Sequence, residues 1–448
     1  MKSTACVVLP VLLILLNPVE CPAQQNVSQA VNGRPAVLSD SALLDLVQRQ
    51  TFRYFWEFAD PVSGLARERS NEAFGYGNEV AAIGGTGFGV MSIIVAADRH
   101  WISRDTAAGF LLKVVNFLMK ADSYHGAFPH WMNGATGKTI PFSANDDGAD
   151  LVETSYLFEG LLCARQYFDR KSPVESRLRE RINRMWGAIE WSWFTRGGRD
   201  VLYWHWSPNK GWAMDMPISG YNECLITYVL AASGERFPIG SEVYHHGWAG
   251  DGAIKNGGSF YGIRLPLGFD FGGPLFFSHY SFLGLDPHGL NDRYADYWEQ
   301  NRNQTLINRE HCIHNPNHFK GYGPACWGLT ASDSYIEYVA HSPTMDNGTI
   351  SPTAALSAFP YTPAYSMMAL RHFYDDLGDK LWGVYGFADA FNESQEWVAG
   401  SYLAIDEGPI VVMIENYRSG LLWRLFMSCP EVQKGLKKLG FSSPRMRQ

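Results

Sequence analysis

The 448-residue chain is long enough for one large or two ordinary domains. It is 14% aromatic with 15 Trp, only 18% charged, and its formal net charge is −8. No basic block supplies the phosphate contacts that a nucleic acid or an anionic membrane surface requires, so the composition excludes both as partners and fits a neutral, hydroxyl-rich ligand.

Residues 1–23 read as a secretory signal peptide. Lys2 is the positive start, residues 7–16 form an apolar core too short to cross a bilayer, and Cys21-Pro22-Ala23 ends in a small-residue cleavage site. Pro18-Val19-Glu20 before Cys21 is a poor lipid-attachment signal. The mature protein is therefore expected to be exported, periplasmic or secreted, free of the membrane once the leader is removed, and a monomer. Residues 24–38 form a polar lead-in. Residues 39–442 show no linker, repeat or composition break and read as one domain.

Ser39 or Asp40 can cap a helix running to about Asp60, with Leu43, Val47, Tyr54 and Phe58 on one face. The glycine-rich run Gly84-Gly85-Thr86-Gly87-Phe88-Gly89 leads into a helix through Ile93 and Ala97. It lacks the Lys-Ser/Thr ending and preceding strand of a phosphate loop. Ser103 caps the next helix, which carries Phe110, Val114, Phe117 and Leu118. Further helical runs cover about 149–169, 174–195, 218–233, 291–312, 353–377 and 410–428, and the clearest strand signal is 201–204. Long loops at 124–147, 196–217, 244–275 and 313–350 suit a ligand-facing rim. Helices joined in pairs predict an all-α ring of helical hairpins with those loops at one end.

Asp146, Asp147, Asp150 and Glu153 crowd four carboxylates before a helix, and Asp146, Asp150 and Glu153 fall at the spacing of one helical face. Helix capping accounts for one or two of them; four beside an aromatic loop point to acid–base chemistry or ligand binding. Glu223 is the only charge in a run that stays apolar through Ala232. A carboxyl on such a helix is either partly desolvated, with the raised pKa of a general acid, or simply exposed. Asp406 and Glu407 precede another apolar helix, where capping is the stronger reading and a second catalytic carboxylate the weaker. Rings in polar loops, above all Trp131, Trp206 and Trp212, can stack on pyranose faces, with His130 and similar groups bonding hydroxyls. Arg69, Arg165 and Arg264 either contact a sugar or pair structurally. His311-Cys312-Ile313-His314 and His318 match no strong zinc spacing, so neither metal nor cofactor is expected. Without the leader five Cys remain, an odd number with no CxxC pair. Buried thiols are expected, with Cys312–Cys326 the one pairing left open.

Phe52-Arg53-Tyr54-Phe55-Trp56, Gly126-Ala127-Phe128-Pro129-His130-Trp131, Asp150-Leu151-Val152-Glu153-Thr154, Tyr221-Asn222-Glu223, Gly321-Tyr322-Gly323 and Cys326-Trp327-Gly328-Leu329-Thr330-Ala331-Ser332-Asp333 occur in order. Together, over about residues 40–440, they resemble glycoside hydrolase family 144, the bacterial β-1,2-glucanases with a glucoamylase-like domain. The resemblance implies an (α/α)6 toroid that hydrolyses β-1,2-glucan with inversion and without a metal, giving sophorose from a chain end or short sophoro-oligosaccharides from within. It implies that Asp146, Asp150, Glu153 and Glu223 are acidic positions important for activity. Glu223 would be the general acid, and Asp150, then Asp406, the base. His130, Trp131, Trp206, Trp212, Tyr221, Asn222, Tyr322 and Trp327 would line the substrate path. A similar domain in cyclic β-1,2-glucan synthases transfers glycosyl groups, so transglycosylation stays open. A polysaccharide lyase or a non-catalytic glucan-binding protein are the other classes considered; the acidic cluster weighs against a lyase.

Overall fold

The computed structural model describes residues 38–71 and 76–446; the expected leader and nearly all of the polar lead-in lie outside them. The chain divides into Met1–Leu43 and Leu44–Gln448. Apart from 39–43, the residues expected to form one domain fall in the second unit.

The α-helices of five residues or more in the described residues are α1 (Asp40–Glu57), α2 (Ile83–Asp98), α3 (Arg104–Leu118), α4 (Leu151–Tyr167), α5 (Pro173–Trp186), α6 (Leu225–Ser233), α7 (Tyr297–His314), α8 (Pro352–Leu356), α9 (Pro363–Arg371), α10 (Ala404–Ser419), α11 (Leu421–Met427) and α12 (Pro430–Lys438). They fall into two kinds. In α2, α4, α6 and α10 nearly every residue is buried, the mark of a helix surrounded by others. In α5 only one stripe is buried, Glu175, Leu178, Ile182, Met185 and Trp186, so it lies outside with its polar face to water. Inner α4 packs on α2 and α6, α2 packs on α10, and α3 and α5 pair outside them. The fold is an all-α (α/α)6 toroid.

The glycine-rich run is not a lead-in but the first turns of α2 itself. A Cβ at Gly87 would overlap the Tyr156 carbonyl, and one at Gly160 would overlap the Gly87 carbonyl, so the glycines let α2 and α4 touch backbone to backbone. Gly84 meets Glu153 while Gly87 meets Tyr156, and Gly85 meets Ala404 while Phe88 meets Gly408. Both pairings advance in the same direction, so α2, α4 and α10 run parallel and their N-termini share one end.

Several expected elements are shifted for local reasons. Ser103 caps α3 as expected, accepting from Thr106 N–H. The 353–377 run breaks into α8 and α9 around Pro360 and Pro363, since proline cannot donate within a helix. The 410–428 run starts earlier and splits at Gly420, which has φ 67°. Asp296 caps α7, with its carboxylate accepting from Trp298 and Glu299 N–H, so that helix begins after 291. The predicted strand at 201–204 is displaced to His205–Trp206.

The short strands are connectors that aim loops. β1 (Val80–Ala82), β2 (Trp131–Asn133) and β3 (Thr139–Ile140) form one sheet in that order. β4 (Ala149–Asp150) pairs antiparallel with β5 (His205–Trp206), setting Asp150 opposite His205 and Ala149 opposite Trp206. β6 (Ala331–Asp333) and β7 (Tyr338–Ala340) form a hairpin that sets Asp333 opposite Tyr338. The five cysteines of the described residues are all buried free thiols. No helix in the described residues is long and apolar enough to cross a membrane.

Candidate active site

The N-terminal ends of the inner helices carry the acids, where unpaired N–H groups and the helix dipole favour negative charge. Asp150 is the N-cap of α4. Its Oδ1 accepts from Val152 N–H at 2.9 Å and Glu153 N–H at 2.8 Å. Its Oδ2 accepts from Trp204 Nε1–H at 3.1 Å and lies 3.1 Å from His130 Nδ1 and 3.5 Å from His205 Nδ1. Burial would raise this carboxyl, but the charges of His205 and His130 and the bonds it accepts hold it below the usual carboxylate range. Asp146 Oδ1 lies 3.3 Å from His205 Nδ1 and its Oδ2 3.8 Å from His130 Nδ1. That Oδ2 is buried and takes no hydrogen bond from the protein. Burial works against protonation of His130, yet Glu153, Asp150 and Asp146 carry it up to about 9. His130 is thus an imidazolium at neutral pH and supplies the positive charge of a group that also meets cation-ligand spacing.

Glu153 accepts from Gly84 N–H, the start of α2, at 2.6 Å. Burial pushes its carboxyl up to about 7 against the pull of His130, and Asp150 and Asp146 add to the rise. Glu223 does not sit on a helix as expected; it occupies the turn just before α6. Ser281 pins that turn, its hydroxyl donating to the Glu223 carbonyl and accepting from Ile226 N–H at 3.0 Å. Glu223 keeps partial solvent access. Burial nonetheless raises its carboxyl to about 7; its own backbone amide opposes the rise, and the charges of Glu153 and Asp150 add to it. The structure thus brings Asp146, Asp150, Glu153, Glu223 and His130 together.

A second acidic group lies at the start of α10. Asp406 and Glu407 are buried in its first turn without serving as cap, which is Leu403. Burial and neighbouring Asp389 hold Asp406 well above the usual range, with Glu407 and Asp333 adding; burial raises Asp389 to about 7. Asp333 makes a two-pronged ion pair with Arg69, at 3.0 Å to each guanidinium nitrogen, and accepts from the Ser401 hydroxyl at 2.6 Å. Arg69 therefore pairs structurally. Tyr280 links the two groups: after burial, Asp406, Tyr338, Glu223 and Glu153 all raise its hydroxyl. Tyr338 is 42% exposed, yet burial of its hydroxyl and the charges of Asp406 and Asp389 push that group well up. A side chain open to water and hemmed in by protein lines a concave surface.

The aromatic expectations divide. Trp131 packs at 4.5 Å on Tyr76 and at 4.8 Å on exposed Phe142, which stacks on His130 at 4.0 Å; these rings rim the acids. Trp206 meets His125 at 5.0 Å and Trp193 at 6.3 Å. Trp212 extends that patch toward Tyr203 and Trp193. Asn222 turns inward to cap its own loop, accepting from Cys224 N–H at 2.9 Å. Tyr221 and Trp327 are corrections: both are fully buried, and Tyr221 donates to Asn301 at 2.7 Å, so neither presents a ring face to ligand. Tyr322 donates to Asp346 at 2.7 Å within a polar group containing His311. His311 has both ring nitrogens engaged, with Tyr261 and Asp346 at 2.9 Å. Asp150 as base is also corrected, because all its acceptor positions are in use and it is wholly buried. Asp406, buried and raised by burial and Asp389, is less suited to the base's role than the sequence expectation had it. Sequence reasoning gave no role to His205, Trp204, Tyr280, Tyr338 and Asp389, and held Asp333 only as the end of the ordered motif at 326–333.

The inner N-termini of the helical toroid thus converge on desolvated carboxylates rimmed by aromatic rings. Residues 215–430 match the family model Glycoamylase, described as "Putative glucoamylase". A curated relative from Parabacteroides distasonis, an exo β-1,2-glucooligosaccharide sophorohydrolase acting at the non-reducing end, is 46% identical over 437 residues, 93% of this chain. The chain spans 60% of that protein's length. A solved endo-β-1,2-glucanase from Chitinophaga pinensis, in complex with sophorotriose and glucose, is 57% identical, with TM-score 0.89 over 91% of this chain and 100% of its own. A structure from Bacteroides uniformis, described like the family model, is 60% identical, with TM-score 0.90 over 92% and 100% of the two chains. The chain belongs to glycoside hydrolase family 144.

Proposed function

We propose that this protein hydrolyses β-1,2-glucan with inversion, yielding sophorose or short sophoro-oligosaccharides. The observation that carries the reading is the placement of Glu223: part-exposed, protonated up to about pH 7, and close enough to Asp150 and Glu153 to feel their charge. Glu223 is the general acid, delivering its proton to the leaving glycosidic oxygen. Asp146, whose Oδ2 takes no bond from the protein and which sits between His130 and His205, is the base that activates water on the opposite sugar face. Asp150 orients His130 and His205, whose Nδ1 atoms lie 3.8 and 3.3 Å from Asp146. Trp131 and Phe142 offer faces for pyranose stacking.

Incubation with linear β-1,2-glucan, with products sized by chromatography and their first-formed anomer read by NMR, tests linkage, cleavage mode and stereochemistry together. Sophorose or short oligomers of inverted configuration are expected. Products longer than the substrate would replace hydrolysis with transglycosylation, and binding without reducing-sugar release would overturn the enzymatic reading. Export as a monomer completes the proposal; an N-terminus beginning after Ala23 and a monomer mass by light scattering are the expected results.

A further inference from the structure

Away from the acids, Cys326, His372 and Glu393 bring a thiol sulfur, an imidazole nitrogen and a carboxylate oxygen within 4.8 Å of one another. They come from three separate segments: the approach to β6, the turn ending α9, and a short turn beyond. His372 Nδ1 lies 2.8 Å from Asp376 Oδ2. That bond takes the Nδ1 proton and leaves the Nε2 lone pair free. Nε2 is buried and bonded to nothing in the protein. Cys326 is buried and free of any disulfide. A cavity of about 340 Å³ lined by Glu393, Lys320, Lys380 and Trp397 opens beside the group, with room for water.

A carboxylate-held histidine with an inward lone pair, beside a thiol and a carboxylate, is the arrangement by which proteins prepare a ligand set for zinc. We propose that Cys326, His372 and Glu393 bind one zinc-class divalent cation, with a fourth position open to solvent and Asp376 as the positioning residue that fixes the His372 tautomer. The mixed sulfur, nitrogen and oxygen set favours Zn²⁺ or Co²⁺ over Mg²⁺ or Ca²⁺. Cys326 binds as thiolate, so its proton passes to solvent as the metal–sulfur bond forms. None of the three ligands is among the acids of the candidate active site; the ion ties three segments together and acts on stability rather than on glucan cleavage.

The test uses the full chain stripped with a chelator and titrated with Co²⁺ or Zn²⁺ alone. One ion bound per chain is expected, with near-ultraviolet thiolate-to-cobalt absorption, release of one proton seen by calorimetry in buffers of different ionisation enthalpy, and a higher unfolding temperature. Cys326→Ser should abolish the absorption and His372→Gln the tight binding. Asp376→Asn should weaken affinity about 10–100-fold while leaving glucan turnover unchanged. Absence of the absorption in the wild type, its persistence in Cys326→Ser, or affinity untouched by His372→Gln would overturn the site. Because Asp376→Asn alters only an exposed partner, it keeps the proposal testable should Cys326→Ser not fold.

Discussion

Glu223→Gln should separate chemistry from stability. Burial carries this carboxyl from an ordinary 4.5 to about 7, and each pH unit of such a rise is worth about 1.4 kcal/mol. Holding the ionised form in the fold therefore costs about 3 kcal/mol. Partial solvent access reduces that to about 1–2 kcal/mol. The sign follows from where the proton is kept. The unfolded chain releases it near pH 4.5 while the folded chain retains it to about pH 7. Below the lower value the group has no effect on stability; between the two, stability falls as pH rises, and above the upper value the full penalty stands. Glutamine cannot ionise. From about pH 5 to about pH 8 the wild type should lose about 1–2 kcal/mol more than the variant, read by urea unfolding at both values. Turnover of β-1,2-glucan should fall about 10²–10⁴-fold in the variant. Identical pH dependence in the two proteins would refute the desolvation argument, and turnover within a few-fold of wild type would remove Glu223 from the acid's role.

Asp150→Asn should lower the His130 titration from about 9 toward its ordinary value, because a major charge holding the imidazolium is gone; an imidazole titration by NMR that stays near 9 would contradict the pairing. Arg69→Ala leaves Asp333 beside Asp389 and Asp406 with no counter-charge, which should cost about 3–5 kcal/mol. Arg69→Lys should recover little, since the two-pronged geometry needs a guanidinium; denaturant unfolding of both variants decides. Gly87→Ala should destabilise by about 1–3 kcal/mol or more through overpacking at the α2–α4 contact. A melting temperature equal to the wild type's would mean that the backbones can part there without penalty.

Much of this protein is legible along the chain. The buried helices α2, α4 and α10 are readable as apolar runs bounded by Gly, Pro and Asp, and the cluster at 146–153 stands out because four carboxylates exceed what capping requires. Glu223 stands out for the same kind of reason, a lone charge before an apolar stretch. Apolar spacing alone joins 353–377 into one helix, whereas Pro360 and Pro363 inside it mark the local break that the structure shows. Tyr221 and Trp327 were misplaced because aromatic content alone does not distinguish a ring that packs inward from one that faces a ligand.

By itself, the sequence determined which segments must be buried, which carboxylates are anomalous, and, through its ordered motifs, the family. Only the tertiary structure decided the acids' partners. His205 meets Asp150 through a two-residue strand pairing across more than fifty positions of chain, and the proton affinity of Asp406 is raised by burial and by Asp389 from a distant loop. Periodicity reports the environment of a few successive residues, whereas proton affinity is set by charges a few ångströms away in space, whatever their separation along the chain.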